Sequence, residues 1–519
     1  SSYSRPRLEL FFSTDTQLTL PEPSMPYPGM PEDQISIGYV ELDPLNEGQC
    51  VTRSVHASAW LPPAAQGDGA YYLAAVADST HMQQELREDN NVRVSGPVGV
   101  GYRSDLVVTE VSAPANLGHG QSFTASVKVC NQGTSSTSSG GYPYYGMSRV
   151  ELFLSMDSEL TLPQPSMPYP GPADDQQAIG YVELDQALQP QQCVTKSLSA
   201  HASLPPAGQI DGTYYLVAAV DTNHAEQELR EDNNVRVSGR VGVGYRPDLV
   251  VTGVSAPASV TPGQGFTSSV QVCNQGKSPS YGGASYGPAV ELFLSMDTEL
   301  SLPSPGTPSP VPGTQLDQVS IGYLEVGQPL SPGECVTKDV PAHAALPPAA
   351  QPDGAYYLVA AVDTTGLEQE LREDNNVHVG GLLGVGYRAD LVVTEVSGPA
   401  SVHHGQAFTA SVKVCNQGTV PSMDTAWLMV LLSTDAQLSL PNPGSPPPGD
   451  QLMIGGIDVA PLSAGQCVTK DIPAYASLPA GAPAPGVFHL GAIIDANRWV
   501  QELREDNNLR AETTLEVTD

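Results

Sequence analysis

The stretch Phe-Thr-Ser-Ser-Val-Gln-Val-Cys-Asn-Gln-Gly, residues 266–276, indicates how this chain folds. Between Phe266 and Val272, three of the four alternate residues are apolar. This is the period-two pattern of a half-buried β-strand. The same alternation recurs from Val290 to Leu294 and from Tyr214 to Val220. Clusters of Gly, Pro, Asn and Ser between these segments supply turns, and no window has the apolar periodicity of a long helix. The pattern predicts an all-β fold.

Three motifs recur at a common spacing, which predicts tandem repeats. Glu-Leu-Arg-Glu-Asp-Asn-Asn, here called the signature, occupies residues 85–91, 228–234, 370–376 and 502–508, so its steps are 143, 142 and 132 residues. Val-Cys-Asn-Gln-Gly begins at Val129, Val272 and Val414, and Gly-Tyr-Arg-x-Asp-Leu-Val-Val begins at Gly101, Gly244 and Gly386. We therefore predict four repeats: 1–102, 103–245, 246–387 and a divergent 388–519.

Each repeat has several short predicted strands joined by long connecting loops, which predicts an immunoglobulin-like β-sandwich. The cysteine positions favour two facing sheets over a barrel. Hardly any linker separates the repeats, because each signature is followed by one strand that runs straight into the next repeat. A flexible hinge would need a longer Gly/Ser-rich or charged tract. The predicted architecture is a series of tandem immunoglobulin-like β-sandwich repeats that forms a semi-rigid rod.

The charge balance is one-sided, with 22 basic against 56 acidic residues and a formal net charge of −34. Such a surface repels nucleic acid and anionic lipid headgroups, which bind through basic side chains. No stretch approaches the roughly 20 apolar residues of a membrane-spanning helix. We therefore expect no nucleic-acid partner and no transmembrane segment.

Six of the seven cysteines recur as one pair in each of repeats 2, 3 and 4. A pair that is far apart in sequence and recurs in each domain indicates an intradomain disulfide and an oxidising, extracellular compartment. Buried free thiols are the alternative, and zinc is disfavoured because no Cys-x-x-Cys spacing is present. The predicted pairs are Cys130 with Cys193, Cys273 with Cys335, and Cys415 with Cys467.

Cys50 is left over and has no partner in this chain. Residues 39–42 match residues 181–184, so residue 1 corresponds to about residue 143. Repeat 1 then lacks its Val-Cys-Asn-Gln-Gly strand. Either the chain is a fragment of a longer array, which we favour, or a neighbouring molecule supplies the strands and the thiol.

The ordered motifs Asp-Leu-Val-Val, Val-Cys-Asn-Gln-Gly, Cys-Val-Thr, Gly-x-Tyr-Tyr-Leu and Glu-Asp-Asn-Asn resemble those of the CARDB family. These are cell-adhesion-related modules of bacteria and archaea. The resemblance spans the last three repeats and part of the first, and it implies an immunoglobulin-like fold in a surface or secreted protein. Pro-rich insertions after Leu20, Leu162, Leu302 and Leu440 are longer than the family pattern leads us to expect.

The signature of repeat 2 has two interpretations. Carboxylate and amide oxygens clustered at a repeat junction could bind calcium. Alternatively, Asn and Asp side chains form hydrogen bonds with nearby backbone in a structural turn, an interpretation that we favour because Arg230 lies among the acids. The candidate calcium ligands are Asp221, Glu228, Glu231, Asp232, Asn233 and Asp248; no other cofactor is expected.

Two kinds of loop are candidate contact surfaces, with plain solvated connections as the alternative. Pro-rich loops are typical of extended polyproline segments, and Gly/Ser/Tyr-rich loops suit adaptable recognition. The first kind presents Tyr27 and Tyr169, and the second presents Tyr142, Tyr144, Tyr145, Tyr281 and Tyr286.

Catalytic motifs are missing from the sequence: there is no Gly-x-Ser-x-Gly, phosphate-binding loop or His-Glu-x-x-His. We therefore predict a non-enzymatic structural and adhesive extracellular protein, a stalk or fibre segment. Its partners would be copies of itself in a filament-type homo-oligomer, other surface proteins or glycans. The alternative is a glycan-binding accessory array of a secreted enzyme.

Overall fold

The computed structural model describes residues 5–20, 31–65, 67–87, 89–138, 147–162, 173–281, 287–302, 316–439, 449–479, 482 and 486–518. The regular elements in these ranges are 28 β-strands and no helix, so the all-β prediction is confirmed. None of the described residues belongs to a helix that could cross a membrane. The chain divides into two compact units, residues 1–245 and 246–519.

The first unit contains twelve described strands. Those of repeat 1 are β1 (Arg7–Ser13), β2 (Gln34–Glu41), β3 (Gly69–Ala77) and β4 (Val92–Val100). Those of repeat 2 are β5 (Leu106–Ser112), β6 (Asn116–Leu117), β7 (Ser122–Asn131), β8 (Arg149–Ser155), β9 (Gln176–Glu183), β10 (Cys193–His201), β11 (Gly212–Val220) and β12 (Val235–Val243).

The second unit repeats the eight-strand pattern twice. Repeat 3 has β13 (Leu249–Ser255), β14 (Ser259–Val260), β15 (Gly265–Asn274), β16 (Ala289–Ser295), β17 (Gln318–Glu325), β18 (Cys335–His343), β19 (Gly354–Val362) and β20 (Val377–Val385). Repeat 4 has β21 (Leu391–Ser397), β22 (Ser401–His403), β23 (Ala407–Asn416), β24 (Ala426–Ser433), β25 (Gln451–Val459), β26 (Cys467–Tyr475), β27 (Gly486–Ile494) and β28 (Leu509–Thr518).

Repeats 2 and 4 are each built from two sheets. In repeat 2 the strand orders are β10-β7-β5 and β6-β12-β11-β8-β9, and repeat 4 has the corresponding orders β21-β23-β26 and β22-β28-β27-β24-β25. Repeat 3 has the same strands, but one residue pair, Gly322 opposite Ala342, joins its two halves into an eight-stranded sheet. The predicted tandem β-sandwiches are therefore present.

Strand alternation explains where the core lies. In β7, Ala125, Val127 and Val129 are buried while the residues between them are at least partly exposed. They pack against buried residues of the facing sheet such as Leu152 and Leu216. Because side chains on a strand point to opposite faces in turn, the alternating sequence places one apolar face between the sheets.

Three disulfides join the cysteines that the sequence pairs: Cys130–Cys193, Cys273–Cys335 and Cys415–Cys467. In each case the two cysteines are directly opposite on neighbouring antiparallel strands, as in β7 and β10. Each bond therefore lies within one sheet and does not connect the two sheets. The cysteine positions were thus a poor reason for expecting facing sheets, although the sheets do face each other.

Repeat 1 contains a single sheet, of order β2-β1-β3-β4, in its described residues. These strands correspond to β9, β8, β11 and β12 of repeat 2. Its buried apolar residues form two small clusters, around Phe11 and around Phe12. Among the described residues, strands equivalent to β5, β7 and β10 are not present in this repeat.

Candidate functional site

The signature of each complete repeat is attached to the start of that repeat's first strand. In repeat 2 the buried Glu228 accepts a hydrogen bond from the backbone N–H of Leu106 at 2.5 Å and another from the side-chain amide of Asn234. Glu370 and Glu502 bind Leu249 and Leu391 in the same way. The signature glutamate thus connects segments that are more than one hundred residues apart.

The aspartate that precedes this leucine brings a second motif to the same place. Asp105 accepts a hydrogen bond from the amide of Asn233 at 2.9 Å, and its own backbone N–H donates to the Asn131 side chain at 3.1 Å. Asn131 is the Asn of Val-Cys-Asn-Gln-Gly. The three recurring motifs therefore converge on one cluster, here called the clasp, which is repeated around Asp248 and around Asp390.

The side chain of Asn131 forms four hydrogen bonds with backbone groups of the clasp. Its Oδ1 accepts hydrogen bonds from the backbone of Asp105 and Gly133 at 3.1 and 3.0 Å, and its Nδ2 donates to the carbonyls of Ser135 and Leu188 at 2.8 and 2.9 Å. Asn274 and Asn416 repeat this arrangement. One buried amide thus satisfies four backbone groups in each complete repeat.

A tight turn leads from β11 into the signature. Asp221 has a left-handed backbone with φ of 53°, and its carboxylate accepts hydrogen bonds from the N–H groups of Ala225 and Glu226 at 2.9 and 3.1 Å. Asp363 and Asp495 have the same geometry. This is the Asp turn chemistry that the structural interpretation predicts.

The remaining acidic residues of the signature also have protein partners. Glu231 accepts from the backbone of Glu228 at 3.1 Å, and Asp232 forms a two-point ion pair with Arg230 at 3.0 and 3.1 Å. Sequence reasoning grouped Asp248 with the signature before it. Its carboxylate instead accepts from Asn375 of the signature that follows, at 3.1 Å, and so takes the position in repeat 3 that Asp105 takes in repeat 2.

The leucine of the signature has a role that sequence reasoning missed. Leu229 is 3% exposed and lies against Gly99 of the preceding repeat, where an added Cβ would come within 2.8 Å of the Leu229 Cβ. Leu503 lies in the same way against Gly384 and Gly386. Leu86 of repeat 1, by contrast, is 105% exposed. At these two junctions, glycines at the end of one repeat therefore provide a socket, here called the glycine socket, for the signature leucine of the next repeat.

The candidate contact tyrosines are mostly outside the described residues. Tyr281 is described and is 60% exposed, and its backbone N–H donates to Glu368 at 2.6 Å. The predicted contacts at Tyr27, Tyr142, Tyr144, Tyr145, Tyr169 and Tyr286 lie outside the described ranges.

A second set of exposed tyrosines was missed by the sequence analysis. Tyr39, Tyr181 and Tyr323 occupy equivalent positions on β2, β9 and β17, and all are exposed. The guanidinium groups of Arg7 and Arg149 lie over the first two rings, at 4.3 and 5.3 Å from the ring centres, which favours a fixed ring orientation. The recurring Ile-Gly-Tyr motif was the available signal.

Burial dominates the electrostatics of the clasp. Burial raises the pKa of Glu228 to about 8, of Glu370 to about 9 and of Glu502 to about 8, although the hydrogen bonds that each carboxyl accepts act in the opposite direction. Burial likewise raises the pKa of Asp390 to about 6. At any pH between the ordinary pKa of glutamate and these raised values, the folded chain therefore binds more protons than the unfolded chain.

We expect thermal stability to fall as pH rises from about 5 to about 9, because a raised folded-state pKa stabilises the fold only while the group is protonated. The stabilisation is complete below the unfolded pKa and is lost as pH passes the folded values of about 8 to 9. Calorimetry across this range checks the sign. Repulsion among the many exposed carboxylates also lowers stability as pH rises. The wild-type chain is therefore compared with the triple variant Glu228→Gln/Glu370→Gln/Glu502→Gln, whose melting temperature should fall less steeply with pH. The exposed Glu85→Gln is the control, and equal slopes for all three proteins would contradict the prediction.

The glycine socket gives a second prediction. Gly99→Ala should destabilise the contact between repeats 1 and 2 by about 1–3 kcal/mol, because the new methyl group must displace Leu229. Gly96→Ala, on the same strand, has no heavy atom within 4 Å of the added methyl group and should be neutral or slightly stabilising. Urea unfolding of the two variants measures the difference, and equal midpoints would rule out the socket.

The CARDB family model matches residues 388–512. Among solved structures, a CARDB domain from Pyrococcus furiosus in complex with di-metal ions is 20% identical, with 28% of this chain and 97% of that chain covered and a TM-score of 0.18. A solution structure of a CARDB domain from the same organism is 22% identical, with coverages of 27% and 96% and a TM-score of 0.18.

Escherichia coli alpha-2-macroglobulin activated by porcine elastase is 12% identical, and the match covers 99% of this chain but 41% of that chain, with a TM-score of 0.20. None of the curated proteins compared with the chain matches it. The family model assigns the fourth repeat, and the structural likenesses add nothing to that assignment. The chain is therefore a tandem-repeat protein whose fourth repeat, at residues 388–512, is a CARDB domain.

Proposed function

We propose that this chain is a non-enzymatic adhesive protein of the cell exterior, a stalk or fibre segment whose repeats space and present contact surfaces. A CARDB domain indicates an adhesion-related extracellular role, and the three disulfides are consistent with an oxidising compartment. The partners that we propose are other copies of the chain or other surface proteins.

The observation that carries this proposal is the packed contact between successive repeats within each unit. Leu229 packs against Gly99 at one junction, and Leu503 packs against Gly384 at another. Arg504 adds a hydrogen bond from its Nη1 to the carbonyl of Leu382 at 3.0 Å. A protein that transmits force or holds ligands at a distance needs junctions of this kind.

Electron microscopy of the purified chain tests the proposal. We expect elongated particles, with each repeat adding about 40 Å, or end-to-end assemblies of them. A Leu503→Asp variant should bend or separate at one junction, whereas Leu86→Asp should leave the particles unchanged. Collapsed particles without assemblies would refute the stalk and the semi-rigid rod together.

A glycan-binding accessory array of a secreted enzyme is the second candidate. The exposed and equivalent Tyr39, Tyr181 and Tyr323 favour it, because rigid aromatic side chains offer contact area at little entropic cost. A glycan array probed with the wild-type chain and with the triple Tyr→Ala variant separates the candidates. Binding that the variant loses supports this function, and the absence of any binding argues against it.

Calcium binding at the signature remains a proposal. The described residues contain no group of three or more His, Cys, Asp or Glu side chains placed to hold a metal ion. A calcium ion at the clasp would therefore need the side-chain oxygens of Asn233 and Asn234, which are buried without a hydrogen-bond partner. Thermal unfolding with calcium and with chelator tests this, and identical curves would remove calcium from the proposal.

A further inference from the structure

A groove with exposed aromatic side chains lies at the end of repeat 4 that follows the joining motif. It has a volume of about 400 Å³, and its walls are residues 387–389, 420–424 and 499–501. Three of its large side chains are mostly exposed: Tyr387 is 61%, Met423 is 81% and Trp499 is 68% exposed. Large apolar side chains grouped at the surface of a strongly acidic chain indicate a place where another molecule binds.

Repeat 4 differs from repeats 2 and 3 at this place. In those two repeats a glutamate, Glu226 or Glu368, accepts a hydrogen bond from the backbone of the loop that follows the disulfide-bonded strand, at 2.7 and 2.6 Å. The equivalent residue of repeat 4 is Val500, which is buried and cannot accept one, and the residue before it changes from Ala225 to Trp499. The loop between β23 and β24 has nine residues, where that between β15 and β16 has fourteen. A polar contact is thus replaced by a groove with apolar walls.

The groove presents hydrogen-bond donors and little net charge. Its donors are the guanidinium group of Arg388, the amide of Gln501 and the ring groups of its tyrosine and tryptophan. Arg388 and Asp424 are the charged residues of its described walls, so their formal charges cancel. A proline-rich segment in the polyproline conformation has no internal hydrogen bonds, and its prolines present carbonyl acceptors and ring faces without N–H groups. Aromatic-lined grooves bind such segments.

We propose that this groove binds the Pro-rich segment of a second copy of the chain, with the motif Pro-x-Pro-Ser-Met-Pro-Tyr-Pro-Gly of residues 163–171. Proline rings of the segment pack on Trp499 and Tyr387, and its carbonyl groups accept hydrogen bonds from the donors along the groove. This inference rests on the proposed function, because it names the surface through which copies of the chain associate.

Charge favours this segment over other parts of a second copy. The net charge of −34 makes copies of the chain repel each other. Residues 162–173 contain five prolines and no charged residue, so they approach an acidic neighbour without adding to the repulsion. Residues 21–29 of repeat 1 carry the same motif with Glu22 in place of Gln164. The motif therefore occurs twice in the chain, and its uncharged form suits the neutral groove better.

The Pro-rich segment of repeat 4 itself leaves from the opposite end of the sandwich. The groove residues 420–424 directly precede β24. Ser439, which leads into the Pro-rich residues 441–448, donates at 3.0 Å to Gln451, and Gln451 is paired with Ser433, the last residue of β24. The eight residues of β24 separate the two places by about 26 Å. The occupant of the groove therefore comes from outside repeat 4.

A labelled peptide of residues 162–173 tests the proposal by fluorescence anisotropy with the full chain. Trp499→Ala should weaken its binding by about tenfold or more, because a tryptophan at the centre of an interface contributes much of the affinity. Trp60→Ala is the matched control, since Trp60 is also 68% exposed, and should bind like the wild type. A peptide with all five prolines replaced by alanine should bind about tenfold more weakly or worse, because it loses the polyproline preference. Equal affinities of the wild type and Trp499→Ala for the native peptide, or no binding, would overturn the proposal.

Sedimentation velocity at rising chain concentration tests whether a second copy supplies the segment. The wild-type chain should associate, whereas Trp499→Ala, and a chain in which residues 21–29 and 163–171 are replaced by Gly/Ser segments of equal length, should stay monomeric. A monomeric wild type that binds the peptide after this replacement, but not before, would assign the groove to a segment of the same chain and overturn the proposal. So would glycan-array binding that Trp499→Ala loses while the peptide does not bind. Elongated particles in electron microscopy would support the stalk in either case, so the two failures are distinguishable.

Discussion

Replacing Leu503 with alanine should lower the free energy of unfolding of the second unit by about 3 kcal/mol, within the range for removing a buried leucine side chain. Leu503 is 3% exposed and lies in the socket formed by Gly384 and Gly386 of repeat 3. Its removal leaves a cavity at a junction, where neither repeat can close the gap without moving the other. Urea unfolding and calorimetry give the value.

The chain provides a matched control for this substitution. Leu86→Ala changes the same signature position in repeat 1, where the side chain is fully exposed, and should change stability by less than about 0.5 kcal/mol. If both variants lost the same free energy of unfolding, the leucine would act within its own repeat and not through the junction. A loss confined to Leu503→Ala would also support the proposed stalk, because the junction is the part that a stalk depends on.

Replacing Asn131 with alanine should destabilise repeat 2 by about 4 kcal/mol or more, since each buried backbone group left without a partner costs about 1–3 kcal/mol. Asn131 is completely buried and forms hydrogen bonds with four backbone groups of three different segments. Circular dichroism during urea unfolding measures the loss.

Asn131→Asp and Gln132→Ala sharpen the test. Aspartate has the same shape as asparagine, but it cannot donate to the carbonyls of Ser135 and Leu188 when ionised, and it places a charge in a buried site. It should therefore be at least as harmful as alanine. Gln132 is the exposed neighbour, and its replacement by alanine should have little effect. A mild effect of Asn131→Asp would show that the shape of the side chain, and not its donor groups, stabilises the clasp.

The strands of the described repeats could be predicted because period-two alternation is a local property. Ala125, Val127 and Val129 alternate with polar residues, and burial of one face follows directly. The disulfide pairs followed from recurrence, since the same two cysteines return in each complete repeat. Their position within one sheet did not follow, because spacing alone does not specify which strands are neighbours.

The clasp was only partly predictable. The turn at Asp221 is a local feature, because its partners Ala225 and Glu226 are close in sequence. Asp248 was grouped with the wrong signature, because its partner Asn375 lies 127 residues away. The buried state of Glu228 was also not visible in the sequence, where a glutamate among five charged or amide residues is usually solvated.

For this protein the sequence alone determined the all-β class, the recurrence of the three motifs and the cysteine pairing, because alternation and recurrence are properties of the chain itself. Only the tertiary structure decided what the signature does. In the complete repeats its glutamate and asparagines hold the first strand of their own repeat, and in repeats 2 and 4 its leucine packs against glycines of the repeat before. These contacts join residues that are distant in sequence and depend on how the folded sheets bring them together, so no local pattern specifies them.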